Sequence, residues 1–187
     1  VAQAQERIIL GIDPGTTVMG YGVLLVVPGS VALLDAGAIR FPGGDDHTLK
    51  LRAIFRETIG IIERHKPDEL AIEAQFFGKN VQSMLKLGRA QGAAIAAALQ
   101  RELAVVEYAP KRIKQSITGN GNASKEQVAA MLRSILKMPQ SLTSTDATDA
   151  VAVALCHHFA LSGAGLPRAG KAGGWSAFLR QNPDRVL

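Results

Sequence analysis

Five apolar segments of strand length interrupt this chain of 187 residues, and their order constrains the fold more than any other feature. Residues 8–12, 18–27 and 31–40 follow one another with only turns between them. Pro28-Gly29-Ser30 links the second segment to the third, and Pro42-Gly43-Gly44 ends a three-strand meander. The other two segments, residues 70–72 and 104–108, each follow a stretch with helical spacing. Leu51, Ile54, Phe55, Ile59 and Ile62 mark a helix that stops near His65, before Pro67. A second helix, rich in small residues, is expected from about residue 80 to 102. Pro110 opens a further helix. In "GNGNASKEQ", Ser124 and Gln127 form a capping box for a helix over 125–137. The last helix starts near Ser144 or Thr145 and runs to about Leu161. Three strands, then helix–strand–helix–strand–helix, predict an α/β domain: a five-stranded mixed sheet flanked by helices.

That domain occupies residues 1–162. Residues 163–187, "GAGLPRAGKAGGWSAFLRQNPDRVL", are glycine-rich and basic and are expected to be a mobile tail. The longest apolar stretches are strand-length or broken by charge and glycine, so none can span a bilayer. The opening VAQAQER carries no apolar signal core. One cysteine, Cys156, cannot form an internal disulfide. A cytoplasmic protein is the expectation.

Two of the strands end in a carboxylate. Asp13 closes the first and is followed at once by the turn Pro14-Gly15-Thr16-Thr17; Glu73 closes the fourth. Strands in one sheet lie about 4.8 Å apart, so two such carboxylates can face each other across a small gap. Asp146 and Asp149, three apart at the start of the last helix, share a face. Singly, each of these two is explained as well by acidic side chains complementing a helix dipole. Four carboxylates in one place repel one another, and a dedicated cation explains their survival. Oxygen donors suit Mg²⁺ or Mn²⁺. Zinc fits poorly, because Cys156, His157 and His158 are adjacent and cannot all face one point; a core cysteine beside ordinary end-of-helix histidines is the simpler account.

The formal net charge is +5, and it is unevenly placed. Between residues 76 and 125 stand eight basic side chains (Lys79, Lys86, Arg89, Arg101, Lys111, Arg112, Lys114 and Lys125) and two acidic ones, Glu102 and Glu107. A solvated helix surface explains most such runs; here the two signs segregate and several bases flank glycines and aromatics, which makes a nucleic-acid face at least as good an account.

Four blocks, "ILGIDPGTTVMGYGV", "LAIEAQFFGKNVQSMLKLGRAQGAA", "VVEYAPKRIKQSITGNGNASKEQV" and "TDATDAVAVALCHH", resemble the signature blocks of the bacterial RuvC family of Holliday-junction resolvases, in order and at the expected spacing from Arg7 to His158. The resemblance implies a ribonuclease-H-like fold and a homodimer that nicks two opposed strands of a four-way DNA junction with Mg²⁺, Mn²⁺ substituting. It places the catalytic and metal-binding carboxylates on Asp13, Glu73, Asp146 and Asp149, with Asp13 bridging two ions. It implies a stacking role for Phe76, DNA contact by Lys114 and Lys125, and a RuvA–RuvB branch-migration complex as partner. Lys79, Lys86, Arg89, Lys111 and Arg112 complete the candidate phosphate contacts. The family dimerises through the helix carrying Gly88, Gly92 and a run of alanines.

"GIDPGTT" also resembles the first phosphate loop of the actin and sugar-kinase ATPases, which share this core. Those proteins hold nucleotide between two such domains, and this chain has room for one and no convincing second loop. Nucleotide binding is therefore not expected.

Overall fold

Alternation along β1 (Arg7–Asp13) decides which residues face which layer. The computed structural model describes residues 6–41, 46–75, 80–138 and 144–163. β1 runs antiparallel to β2 (Val18–Val27), which runs antiparallel to β3 (Ser30–Arg40). On its other edge β1 pairs in parallel with β4 (Glu69–Glu73), and β4 in parallel with β5 (Ala104–Tyr108). The sheet order is β3-β2-β1-β4-β5, the five-stranded mixed sheet expected from the segment order.

Leu10, Ile12, Leu70 and Ile72 face one side, under α1 (His47–His65) and α2 (Val81–Gln100). Ile9 and Ala71 face the other, under α3 (Pro110–Thr118), α4 (Lys125–Leu136) and α5 (Thr145–Ser162). By the same alternation Asp13 and Glu73 belong to the α3–α5 side.

α1 begins a turn earlier than its apolar pattern suggests, because Asp46 caps it by accepting from the Thr48 and Leu49 N–H groups. The Ser124–Gln127 capping box is present at α4, and Ser144 caps α5 by accepting from the Ala147 N–H. Phe76, Phe77, Lys79, Pro42-Gly43-Gly44 and the segment 164–187 lie outside the described residues.

α5 packs directly on strand backbone. A Cβ added at Gly11 would sit 2.3 Å from the Ala150 carbonyl oxygen, and one at Gly22 would sit 2.8 Å from the Val151 Cα. At Gly20, whose register partner is Asp13, a Cβ would lie 2.0 Å from the Asp146 carbonyl oxygen. Only glycine allows backbone to approach this closely. The three glycines therefore fix how deep α5 lies, and they set its first turn beside the end of β1. From Ala147 to His157 every α5 residue except Asp149 is buried.

Candidate active site

Asp13 ends β1, Glu73 ends β4, and Asp149 lies one turn into α5. Because β1 and β4 are parallel and in register at Ile12 and Ile72, their next residues are the two carboxylates at the same sheet edge. The three line one cavity of about 220 Å³, together with Lys114 of α3, Lys125 of α4 and the apolar Pro110, Ile113, Val128 and Ala152. Asp146 does not line this cavity. It sits a turn earlier on α5, near enough for its charge to act on Asp13.

Burial, then the negative charge of Asp149, raises the Asp13 carboxyl from 3.8 to about 6; Lys125 opposes the shift and Asp146 adds to it. Burial, then Asp13, then Asp149, raises Glu73 from 4.5 to about 7, with Lys125 and Lys114 pulling the other way. Lys125 donates a hydrogen bond from its ammonium to Asp149, and this bond raises its own pKa. The cavity thus holds more negative charge than its two lysines neutralise.

The donors fit a hard divalent cation. All are carboxylate oxygens, and a bound divalent charge would offset the burial and mutual repulsion that raise the Asp13 and Glu73 pKa values. As the side chains stand, no three Asp, Glu, His or Cys residues among those described are close enough to hold one ion, and Lys125 is paired with Asp149.

The basic residues separate into groups. Lys114 and Lys125 reach the cavity. Lys86 and Arg89 lie on α2, on the other helical layer, where their charges act on His47 with that of Lys50. Arg112 stacks on the Tyr108 ring, 5.2 Å from its centroid, and lines a different hollow with Cys156 and Phe159. Lys111 packs against Gly121.

The histidines correct the sequence reading in one respect. His157 is buried and is no ordinary helix-end residue. Its Nδ1 is hydrogen-bonded to the Tyr108 hydroxyl at 2.7 Å, and its Nε2–H donates to the Glu69 carboxylate, which also pairs with Arg7 at 3.5 Å. Nothing in local spacing joins residues 7, 69, 108 and 157. Cys156 is a core cysteine, as expected.

The family model described as crossover junction endodeoxyribonuclease RuvC matches residues 9–157. The chain belongs to the RuvC family. A RuvC of Porphyromonas gingivalis is 56% identical over 97% of this chain and 98% of its own length. A RuvC of Cytophaga hutchinsonii is 54% identical over 97% of this chain and 88% of its own. Both likenesses run past the family model into the segment after α5. The structure of Thermus thermophilus RuvC in complex with a Holliday junction substrate superimposes with a TM-score of 0.77 at 32% identity, covering 83% of this chain and 94% of that one. The RuvC membership agrees with the ribonuclease-H-like fold expected from the four blocks. No helix among the described residues is long and apolar enough to cross a membrane.

Proposed function

We propose that this chain resolves four-way DNA junctions by paired phosphodiester nicks, and that Asp13, Glu73, Asp149 and Asp146 form the nicking centre. The observation that carries the reading is the convergence of Asp13, Glu73 and Asp149, from three separate elements, on one cavity rimmed by Lys114 and Lys125. A structural carboxylate gains nothing from burial beside two others, whereas a site for divalent cations requires it.

Asp13, Glu73 and Asp149 would hold the two Mg²⁺ ions, with Asp146 supporting from the preceding turn. Those ions, when bound, supply the Lewis acidity that activates a water and steadies the leaving oxygen of an in-line displacement. Lys114 and Lys125 draw the backbone phosphate to the cavity mouth and neutralise part of its charge. The apolar walls, Ile113, Val128 and Ala152, limit water beside the carboxylates and strengthen the local field. Lys79, Lys86, Arg89, Lys111 and Arg112 are assigned to the junction arms and Phe76 to an unstacked base. Arg112, engaged by Tyr108, is the least available of them.

A two-fold junction calls for two centres, and α2 supports a homodimer. Val81, Leu85 and Leu99 are exposed at 59%, 51% and 58%. Val81, Leu85, Gly88 and Gly92 fall at four- and three-residue spacing with Leu99 one heptad beyond Gly92, and a Cβ at either glycine would meet nothing within 4 Å among the described residues. Packing of α2 on its own sheet falls to Ala90, Ala94, Ala97 and Ala98, which are buried. A cytoplasmic setting and a RuvA–RuvB partner complete the reading, both on family grounds.

The test compares a four-way DNA junction, duplex DNA, an RNA–DNA hybrid and single strands, each with Mg²⁺. Paired nicks confined to the junction, abolished in Asp13→Asn with binding retained, are expected. Equal cleavage of the hybrid would make the chain a ribonuclease instead, and undiminished nicking by Asp13→Asn would remove that carboxylate from the centre.

A further inference from the structure

Glu73 is the last residue of its strand, so the ladder that holds the rest of β4 is ending where orientation matters most. The peptide unit joining Glu73 to Ala74 is nevertheless pinned on both sides. Its N–H, from Ala74, donates to the Tyr108 carbonyl of β5 at 2.9 Å. Its C=O, from Glu73, accepts from the Gln91 side chain of α2 at 3.3 Å. The same Gln91 Nε2 donates to the Glu107 carboxylate at 2.6 Å. Both partners are acceptors only, which settles the orientation of the amide: nitrogen, not oxygen, must face them. Gln91 is one of few buried polar side chains among the described residues, at 8% exposure.

Pinning both ends of one peptide fixes the ψ of Glu73, and with it the line along which the strand leaves the sheet. A carboxylate on a freely exiting residue would sample many directions, each giving a different ligand geometry. The shorter Glu107 bond, assisted by the carboxylate's charge, anchors the amide so that it can hold the weaker acceptor.

We propose that Gln91 is a positioning residue for Glu73, linking the exposed seam of α2 to the geometry of the nicking centre. This rests on the proposed role of Glu73. Partners of this outer kind, when removed, cost about 10–100-fold in metal affinity or activity. The apolar seam of α2 lies about a quarter-turn round the helix from Gln91, so a change in how α2 pairs would reach Glu73 through one side chain.

The test uses the full chain with three variants. Gln91→Met keeps length and bulk but cannot donate. Gln91→Arg retains donors for both acceptors. Glu73→Gln tests the underlying reading. For each, Mg²⁺ binding without DNA is measured by calorimetry, junction affinity without metal by fluorescence anisotropy, Tm by thermal unfolding, and kcat at saturating junction. Gln91→Met is expected to weaken Mg²⁺ binding or kcat about tenfold or more, with junction affinity unchanged, and Gln91→Arg to recover part of the loss. A folded Gln91→Met with wild-type Mg²⁺ binding and kcat overturns the proposal. Losses in Met and Arg variants that track a fall in Tm overturn it in favour of a packing role. Should Gln91→Met fail to fold, Glu107→Leu, which frees the amide, carries the same expectation and the same refutation. Full nicking by Glu73→Gln would instead sink the reading of Glu73 itself.

Discussion

Asp13 should make the metal-free protein less stable at neutral pH than it is in acid, and Asp13→Asn should remove that penalty. Its carboxyl lies at about 6 in the fold against 3.8 as its ordinary value. The folded state therefore keeps a proton that the unfolded state releases, so stability falls as pH rises. The loss starts above about pH 4 and is complete once pH exceeds the folded value. One unit corresponds to about 1.4 kcal/mol, so the displacement sets a ceiling of about 3 kcal/mol. Glu73 shares part of this repulsion, and Lys125 can turn toward whichever carboxylate remains, so about 2 kcal/mol is expected from Asp13→Asn at pH 7.5. For a domain of this size that is a rise of about 4–8 °C in Tm. At pH 4 the two proteins should unfold together. The assay is thermal unfolding in EDTA at pH 4, 6 and 7.5, repeated at pH 7.5 with Mg²⁺. Mg²⁺ should stabilise the wild type by binding only its folded state and should do much less for Asp13→Asn. An Asp13→Asn protein no more stable than wild type at pH 7.5 in EDTA would refute the electrostatic reasoning. Equal stabilisation of both by Mg²⁺ would take the metal away from Asp13.

Lys114→Gln and Lys125→Gln should each lower the slope of log junction affinity against log salt by about one, measured by anisotropy across a salt series; unchanged slopes would remove these lysines from phosphate contact. Gly20→Ala should depress both Tm and nicking, because its Cβ would meet the Asp146 carbonyl oxygen at 2.0 Å and push the first turn of α5 from Asp13. Wild-type values for both would show that α5 can yield there. Tyr108→Phe leaves buried Nδ1 of His157 without its hydrogen-bond partner and should cost about 1–3 kcal/mol in urea unfolding, with metal binding unaltered; no change would mean that another group satisfies that nitrogen.

Much of this protein is local information. Turn residues, period-two alternation and helix caps act over a few residues, so Ser124 with Gln127, Ser144 before α5 and the strand ends at Asp13 and Glu73 were legible in the chain itself. That both strand-end carboxylates share one face follows from the pairing of Ile12 with Ile72, which both point away from α5, and that pairing is tertiary. The glycines at 11, 20 and 22 are visible in the sequence, but their meaning is not. Only the packing of α5 against β1 and β2 shows that they admit its backbone and so carry Asp149 to Asp13. Tertiary structure alone also divides the carboxylates, bringing Asp149 into the cavity and leaving Asp146 a turn behind. It divides the basic residues likewise, with Lys114 and Lys125 at the cavity and Arg112 spent on Tyr108. Gln91 under Glu73 and His157 between Tyr108 and Glu69 had no local signal, because their partners lie 16 to 88 residues away. Propensity and periodicity report how a segment folds against an unspecified neighbour. Hydrogen bonds, burial and repelling charges depend on which neighbour it is, and only the assembled sheet and its helices decide that.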